Sequence, residues 1–285
     1  RKYVLLKGVP CQLNSLYADP DKEALIRTRP TRPYAVRTRQ GRGKVYATTL
    51  ASKLLGLAAV KLASLDFCGM GIEMEADRPN WYDALNGLPG CFGSSISETF
   101  ELKRLILLLR ETIETAPRNF AWTLPVECGD LVSGLHRLLR ARNGGDRRRR
   151  AFRFWDAASA LKEKYRSRVW MGFSGKEKKI SAASVRDFLE RALARVESGI
   201  AAARDRKTGL YHTYFRYEIA RWKPGPVVDG HPTFTPLAVR QIRLPLFLEG
   251  QVHALRLEKN SRKAAELVRA VRRSSLFDRT LSMYK

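Results

Sequence analysis

The sequence predicts a mainly α protein with long loops between its helices. Three observations lead there. Leu50, Leu54, Leu55, Leu57, Ala58, Leu62 and Leu65 keep mostly helical spacing from Lys44 to about Asp66, and no proline interrupts them. Ser95-Ile96-Ser97-Glu98 fits a capping box, in which the serine hydroxyl accepts from a free backbone N–H and Glu98 reaches back. Val185, Phe188, Leu189, Ala192, Leu193, Val196 and Ile200 form an apolar stripe over 181–203, with Arg186, Glu190, Arg191, Arg195 and Glu197 outside it.

The remaining elements follow in order. Residues 1–43 read as extended and loop structure, with short strands at Val4–Leu6 and Tyr34–Val36 and turns at Pro30, Pro33 and 40–43. Residues 67–96 read as one long loop rich in Gly, Pro, Asn and Asp, and a loop of that length is usually functional. The capped helix then carries Phe100, Leu102, Leu105, Ile106, Leu108 and Leu109 until Pro117 stops it. A shorter helix covers 127–141, with Leu131, Leu135, Leu138 and Leu139 on one face. The arginine-rich stretch 142–150 reads as a loop before a helix at 151–167. Aromatic and β-branched residues make 210–222 an extended strand or arm. A Pro/Gly-rich connector, 223–236, follows it, and helical patterns resume from about Phe247 to Val271.

Composition narrows the class. The chain has 285 residues, with 53 Lys and Arg against 28 Asp and Glu, for a formal net charge of +25. At 44% hydrophobic residues it is not globally disordered. No apolar run approaches the roughly 18 residues of a spanning helix, so no membrane partner is expected. Cys11, Cys68, Cys91 and Cys128 are scattered without a CxxC pair, so no zinc site or other metal is predicted. His136, His212, His231 and His253 share no metal or triad spacing. The isoelectric point near 10.4 is common among nucleic-acid binders. The Arg147–Arg150 run, however, lacks interleaved aromatics and any recognisable nucleic-acid module. The chain begins with Arg1 rather than Met and carries no leader pattern. It is therefore expected to be a piece of a longer chain, with the cytoplasm as the default compartment.

The stretch from Gly71 to Ser95 holds the sharpest chemistry. It sets Glu73, Glu75, Asp77 and Asp83 beside Trp81, Tyr82 and Phe92 among turn-forming glycines. Cleaving a glycosidic bond needs an acid to protonate the leaving oxygen. Aromatic faces pack on the C–H faces of sugar rings, and Asn or backbone groups bind hydroxyls. From the residues alone, Asp83 reads as a turn residue that caps its own backbone. Trp81 and Tyr82 are equally loop anchors.

Trp81-Tyr82-Asp83-Ala84-Leu85-Asn86 resembles the Trp-Asn-Asp-Gly-Met-Asn motif of cellobiose phosphorylases and their relatives in glycoside hydrolase family 94. The longer string from Gly69 to Gly90 resembles large bacterial cellobiose-phosphorylase-like proteins. Leu244-Pro245-Leu246-Phe247-Leu248-Glu249-Gly250 and the closing Leu281-Ser282-Met283-Tyr284-Lys285 resemble the same group, so the likeness spans about 44–285. It implies that 44–285 is part of a six-hairpin glycosidase, an (α/α)6 barrel truncated at both ends, with 1–43 leading into it.

The resemblance places the general acid on Asp83 and the reaction as inverting phosphorolysis of β-linked glucosides or oligoglucosides. Inorganic phosphate is then the co-substrate, and no organic cofactor or metal is implied. Trp81, Tyr82, Asn86, Glu98, Glu249 and His253 become the candidate substrate-binding residues, and a homodimer of the longer protein is expected. The motif differs from the family's at Tyr82 (Asn), Ala84 (Gly) and Leu85 (Met), and no family phosphate-binding motif is found. Two alternatives stay open. One is an inverting hydrolase on the same scaffold, with Glu73, Glu75 or Asp77 activating water. The other is a basic nucleic-acid-binding protein.

Overall fold

The computed structural model describes residues 3–12, 18–74, 93–117, 120–141, 144, 146–228 and 230–285. It is 48% helix and 24% strand and contains a six-stranded antiparallel sheet. The expectation of a mainly α, partial (α/α)6 barrel is therefore corrected to a mixed α and β fold. The physical reason lies chiefly in 214–243, where two long segments pair with each other and recruit strands from distant parts of the chain.

In chain order the elements begin with β1 (Tyr3–Leu6), β2 (Val9–Gln12), α1 (Pro20–Arg27), α2 (Leu50–Leu62) and β3 (Ile72–Glu73). Next come β4 (Gly93–Ser95), α3 (Ile96–Glu114), β5 (Ala121–Pro125), α4 (Val126–Arg140) and α5 (Arg147–Val169). Then follow β6 (Glu177–Ser181), α6 (Ala182–Ala203), β7 (Tyr214–Val228) and β8 (His231–Arg243). The chain closes with α7 (Leu248–Leu257), α8 (Ser261–Arg273), β9 (Phe277–Asp278) and β10 (Met283–Tyr284). Among the described residues no helix is long and apolar enough to cross a membrane.

The chain divides into two compact units. The first comprises Arg1–Leu16, Leu65–Glu101 and Val196–Lys285. Its sheet has the order β2-β1-β8-β7-β4-β3. The β7–β8 hairpin is its spine, with Phe215 opposite Arg243 and Val228 opposite His231. Its core is aromatic: Phe67 packs on Tyr217 at 5.3 Å between ring centroids, Tyr3 on Phe234 at 5.8 Å and Phe100 edge-on to Tyr211 at 5.3 Å. Each fully buried side chain of this size stabilises the fold by about 1.5–3 kcal/mol.

The second unit comprises Tyr17–Ser64 and Leu102–Arg195. Leu55, Leu62, Trp122, Leu124, Leu135, Trp155, Val185, Phe188 and Leu189 are fully buried in it. Two-stranded β5–β6 holds Trp122 opposite Ile180. Gly134 allows α4 to meet α5 closely: a Cβ there would sit 2.9 Å from Leu161.

Several local expectations are revised. The helix expected from Lys44 starts at Leu50, because Thr49 caps it by accepting from the Ser52 amide. Residues 1–43 contain α1, capped by Asp19 with Pro20 in its first turn. Tyr34–Val36 forms no strand. The Arg147–Arg150 run is not a loop but the first turn of α5, which Asp146 caps through the Arg149 amide at 2.8 Å. Within the expected connector 223–236, residues 223–228 belong to β7 and 231–236 to β8. The helical patterns expected over 247–271 form two helices, divided at Glu258-Lys259-Asn260, with Asn260 capping α8. The helices at 127–141 and 181–203 fall within one residue of α4 and α6.

Candidate functional site

The segment 75–92 carries the predicted acid and sugar platform, so its two ends matter first. They are joined by β3 and β4, which pair Ile72 with Ser95 and Glu73 with Ser94. The Met74 amide adds a bond to the Gly93 carbonyl at 2.9 Å. Gly69 takes the left-handed conformation, φ 68°, that the preceding turn requires.

Asp66 holds this stem from below. Its side chain is fully buried. Oδ1 accepts from the Cys68 amide at 2.9 Å and the Met70 amide at 3.0 Å. Oδ2 accepts from the Gly71 amide at 2.7 Å and the Ser94 hydroxyl at 2.8 Å. Burial pushes its carboxyl upward from the ordinary value, and hydrogen bonds from Tyr217, the Met70 amide, Ser94 and the Gly71 amide oppose that shift. Tyr217 lies beside it; burial and the neighbouring Asp66 push the phenol well up. Gln241 donates to the Tyr217 oxygen at 3.0 Å. Thr99, in the first turn of α3, donates to the Met70 carbonyl at 2.8 Å. Both strands of the stem are thus fastened to buried structure.

Asp83, Trp81, Tyr82 and Asn86 lie outside the described residues, as do Glu75 and Asp77. Glu73 is on β3, and the Tyr3 hydroxyl donates to it at 3.4 Å. Glu98 is exposed in the first turn of α3. Ser95 delivers its half of the predicted cap by accepting from the Ser97 amide at 3.2 Å.

Glu249 and His253 come together on α7, one turn apart. His253 Nδ1 faces Glu101 Oε1 at 2.9 Å, and Nε2 faces Glu249 Oε1 at 3.7 Å. The Tyr214 hydroxyl donates to Glu249 Oε2. Glu249 Oε1 is buried and has no hydrogen-bond partner, since His253 stands at ion-pair rather than hydrogen-bond distance. Side-chain exposure falls from 34% at Glu101 to 14% at Glu249, and the imidazole is within hydrogen-bond distance of Glu101 but not of Glu249. Tyr214 lies opposite Ser95 in the β4–β7 register. The network therefore sits one strand away from the end of the 75–92 segment.

Sequence reasoning missed Glu101 and Tyr214 as members of this group. Glu101 could have been noticed, since it follows Glu98 by three residues on the same helix. Tyr214 was hidden in an aromatic strand whose tyrosines mostly pack. The other histidines hold no site. His136 pairs with Asp187 at 2.7 Å, and His212 Nδ1 lies 3.4 Å from the Leu244 carbonyl. Among the described residues no group of three or more His, Cys, Asp or Glu side chains is placed to hold a metal ion. Cys11, Cys68 and Cys128 are free thiols. No protein-family model matches this chain, and no curated protein sequence matches it.

Proposed function

We propose that this chain carries the acid-bearing segment of a carbohydrate-active enzyme that cleaves β-linked glucosides by inverting phosphorolysis. The observation that supports the reading is the pairing of a motif with a mount. The phosphorylase-like string around Asp83 lies in a segment whose two ends are closed by β3 and β4 and tied by one buried carboxylate, Asp66. A general acid must be held within hydrogen-bond reach of the leaving oxygen, so such a segment needs fixed ends.

Asp83 protonates the glycosidic oxygen while phosphate attacks the anomeric carbon from the opposite face. Trp81 and Tyr82 supply the sugar platform, and Asn86, Glu98, Glu249 and His253 supply polar contacts to hydroxyls. Phosphate replaces the base-activated water of a hydrolase, so no second catalytic carboxylate is required. A homodimer and a cytoplasmic location go with this reading.

One observation favours a hydrolase as the second reading. Glu249 keeps a buried oxygen without a hydrogen-bond partner, which is what a base awaiting water offers. Incubating the protein with β-linked oligoglucosides, with and without phosphate, separates the two. Phosphorolysis yields a sugar 1-phosphate only when phosphate is present. Release of free sugar at the same rate without phosphate overturns it in favour of hydrolysis.

A further inference from the structure

In the second unit, α4 and α5 pack as an antiparallel pair, with Asp130 facing Arg168 and Gly134 facing Leu161. Beside them lies a cavity of about 170 Å3, lined by six charged residues together with Leu131, Ser133, Leu161 and Tyr165. Three layers of side chains give it an unusual charge pattern.

The first layer is a neutralised carboxylate. Asp130 takes Arg168 at 2.8 Å and Lys178 at 3.0 Å, so two cations share one acid. Those two cations hold its carboxyl below the ordinary value, Arg168 most strongly. Lys178 is steered there by Gly129, where a Cβ would come within 2.9 Å of the lysine stem. The second layer is cationic and uncompensated. Arg137 and Lys164 also line the cavity, and neither has a side-chain partner among the described residues. The third is a bare acceptor. Glu127 is 2% exposed; its Oε1 accepts from the Ser174 amide at 3.0 Å, while its buried Oε2 has no partner.

An excess of cations calls for an oxyanion. A buried carboxylate oxygen calls for a donor. Hydrogen phosphate satisfies both, because it presents several acceptor oxygens and one O–H. Sulfate has no O–H at neutral pH and would leave the Glu127 oxygen facing another anion.

We propose that this cavity is a binding site for hydrogen phosphate, with Arg137, Lys164, Arg168 and Lys178 on the anion's oxygens and Glu127 accepting from its hydroxyl. The site stands on residues of the second unit alone, and it holds whether or not Asp83 acts as proposed above. Selectivity comes from the acceptor: a site that pairs a ligand hydroxyl rejects the analogue lacking it more strongly than size alone would.

Titration calorimetry of the protein with inorganic phosphate and with sulfate, at neutral pH and fixed ionic strength, tests this. Saturable phosphate binding is expected, at least about tenfold tighter than sulfate. The double substitution R137Q/K164Q, at two exposed positions, should weaken phosphate by roughly tenfold or more. In Glu127→Gln the Ser174 amide keeps the new carbonyl, so the NH2 turns to the anion and sulfate should approach phosphate in affinity. No saturable phosphate binding at millimolar concentration overturns the proposal. So does equal binding of the two anions by the unaltered protein, or unchanged binding in R137Q/K164Q. If Glu127→Gln fails to fold, those arms still decide it.

Discussion

Asp66 accepts a 2.8 Å hydrogen bond from the Ser94 hydroxyl across 28 residues of chain, and this one contact joins the two ends of the segment that carries Asp83. The same carboxylate takes three backbone amides on the opposite side of the stem. Four donors converge on two oxygens at a site without water access, so every lone-pair direction is used.

Asp66→Asn tests how much that knot carries. Asn offers one acceptor oxygen, and its NH2 would face at least one backbone amide that only donates. The expected cost is about 2–4 kcal/mol of folding free energy, measured by urea denaturation. A loss below about 1 kcal/mol would show that the stem is held by other means.

Gly199→Ala gives a second test because two effects oppose each other. In an ordinary helix, Ala is about 1 kcal/mol better than Gly. At Gly199 on α6, however, a Cβ would lie 2.1 Å from the Gly69 carbonyl oxygen. The turn that starts the stem must shift, and the net change is expected to be a loss of about 1–3 kcal/mol. Stabilisation in a thermal melt would refute the close approach.

His253→Ala removes the imidazole between Glu101 and Glu249. Glu249 then keeps Tyr214, and its buried Oε1 loses the ring nitrogen that stands 3.7 Å away. A loss of about 1–3 kcal/mol is expected by denaturant unfolding. His253→Gln, which can still donate to one carboxylate, should recover part of it.

Asp187 makes a pH-dependent prediction. Hydrogen bonds from Arg191 and then His136 hold its carboxyl down at about 2, against an ordinary 3.8. A depressed carboxylate contributes stability that is fully present above about pH 4 and lost as pH falls through about 2. NMR titration of the Asp187 carboxyl should give a midpoint near 2. Substituting Arg191 by Gln should raise that midpoint toward the ordinary value.

The helices were the legible part of this fold. α4 and α6 show in the sequence because each buries one regular stripe, and Leu131, Leu135, Phe188 and Leu189 mark it. The β7–β8 hairpin was hidden by its prolines. Pro224, Gly225, Pro226, Pro232 and Pro236 read as a connector, yet pairing continues through them, with a register shift between Pro224 and Val227. Proline is tolerated at such irregularities because the ladder bond is already missing there. The Arg147–Arg150 helix start was hidden for an electrostatic reason. Four cations oppose a helix N-terminus, and the Asp146 cap counters them. Glu249 and His253 were found through a family-like string, whereas Glu101 and Tyr214 reach them from other elements through pairings that no local spacing reveals.

The acid role of Asp83 is the central claim, and Asp83→Asn in the intact protein tests it most directly. Sugar 1-phosphate formation from a β-linked oligoglucoside and phosphate is the readout. A drop of about two to four orders of magnitude with folding unchanged is expected, the usual worth of a positioned general acid. Activity retained within about tenfold of the unaltered protein would contradict it.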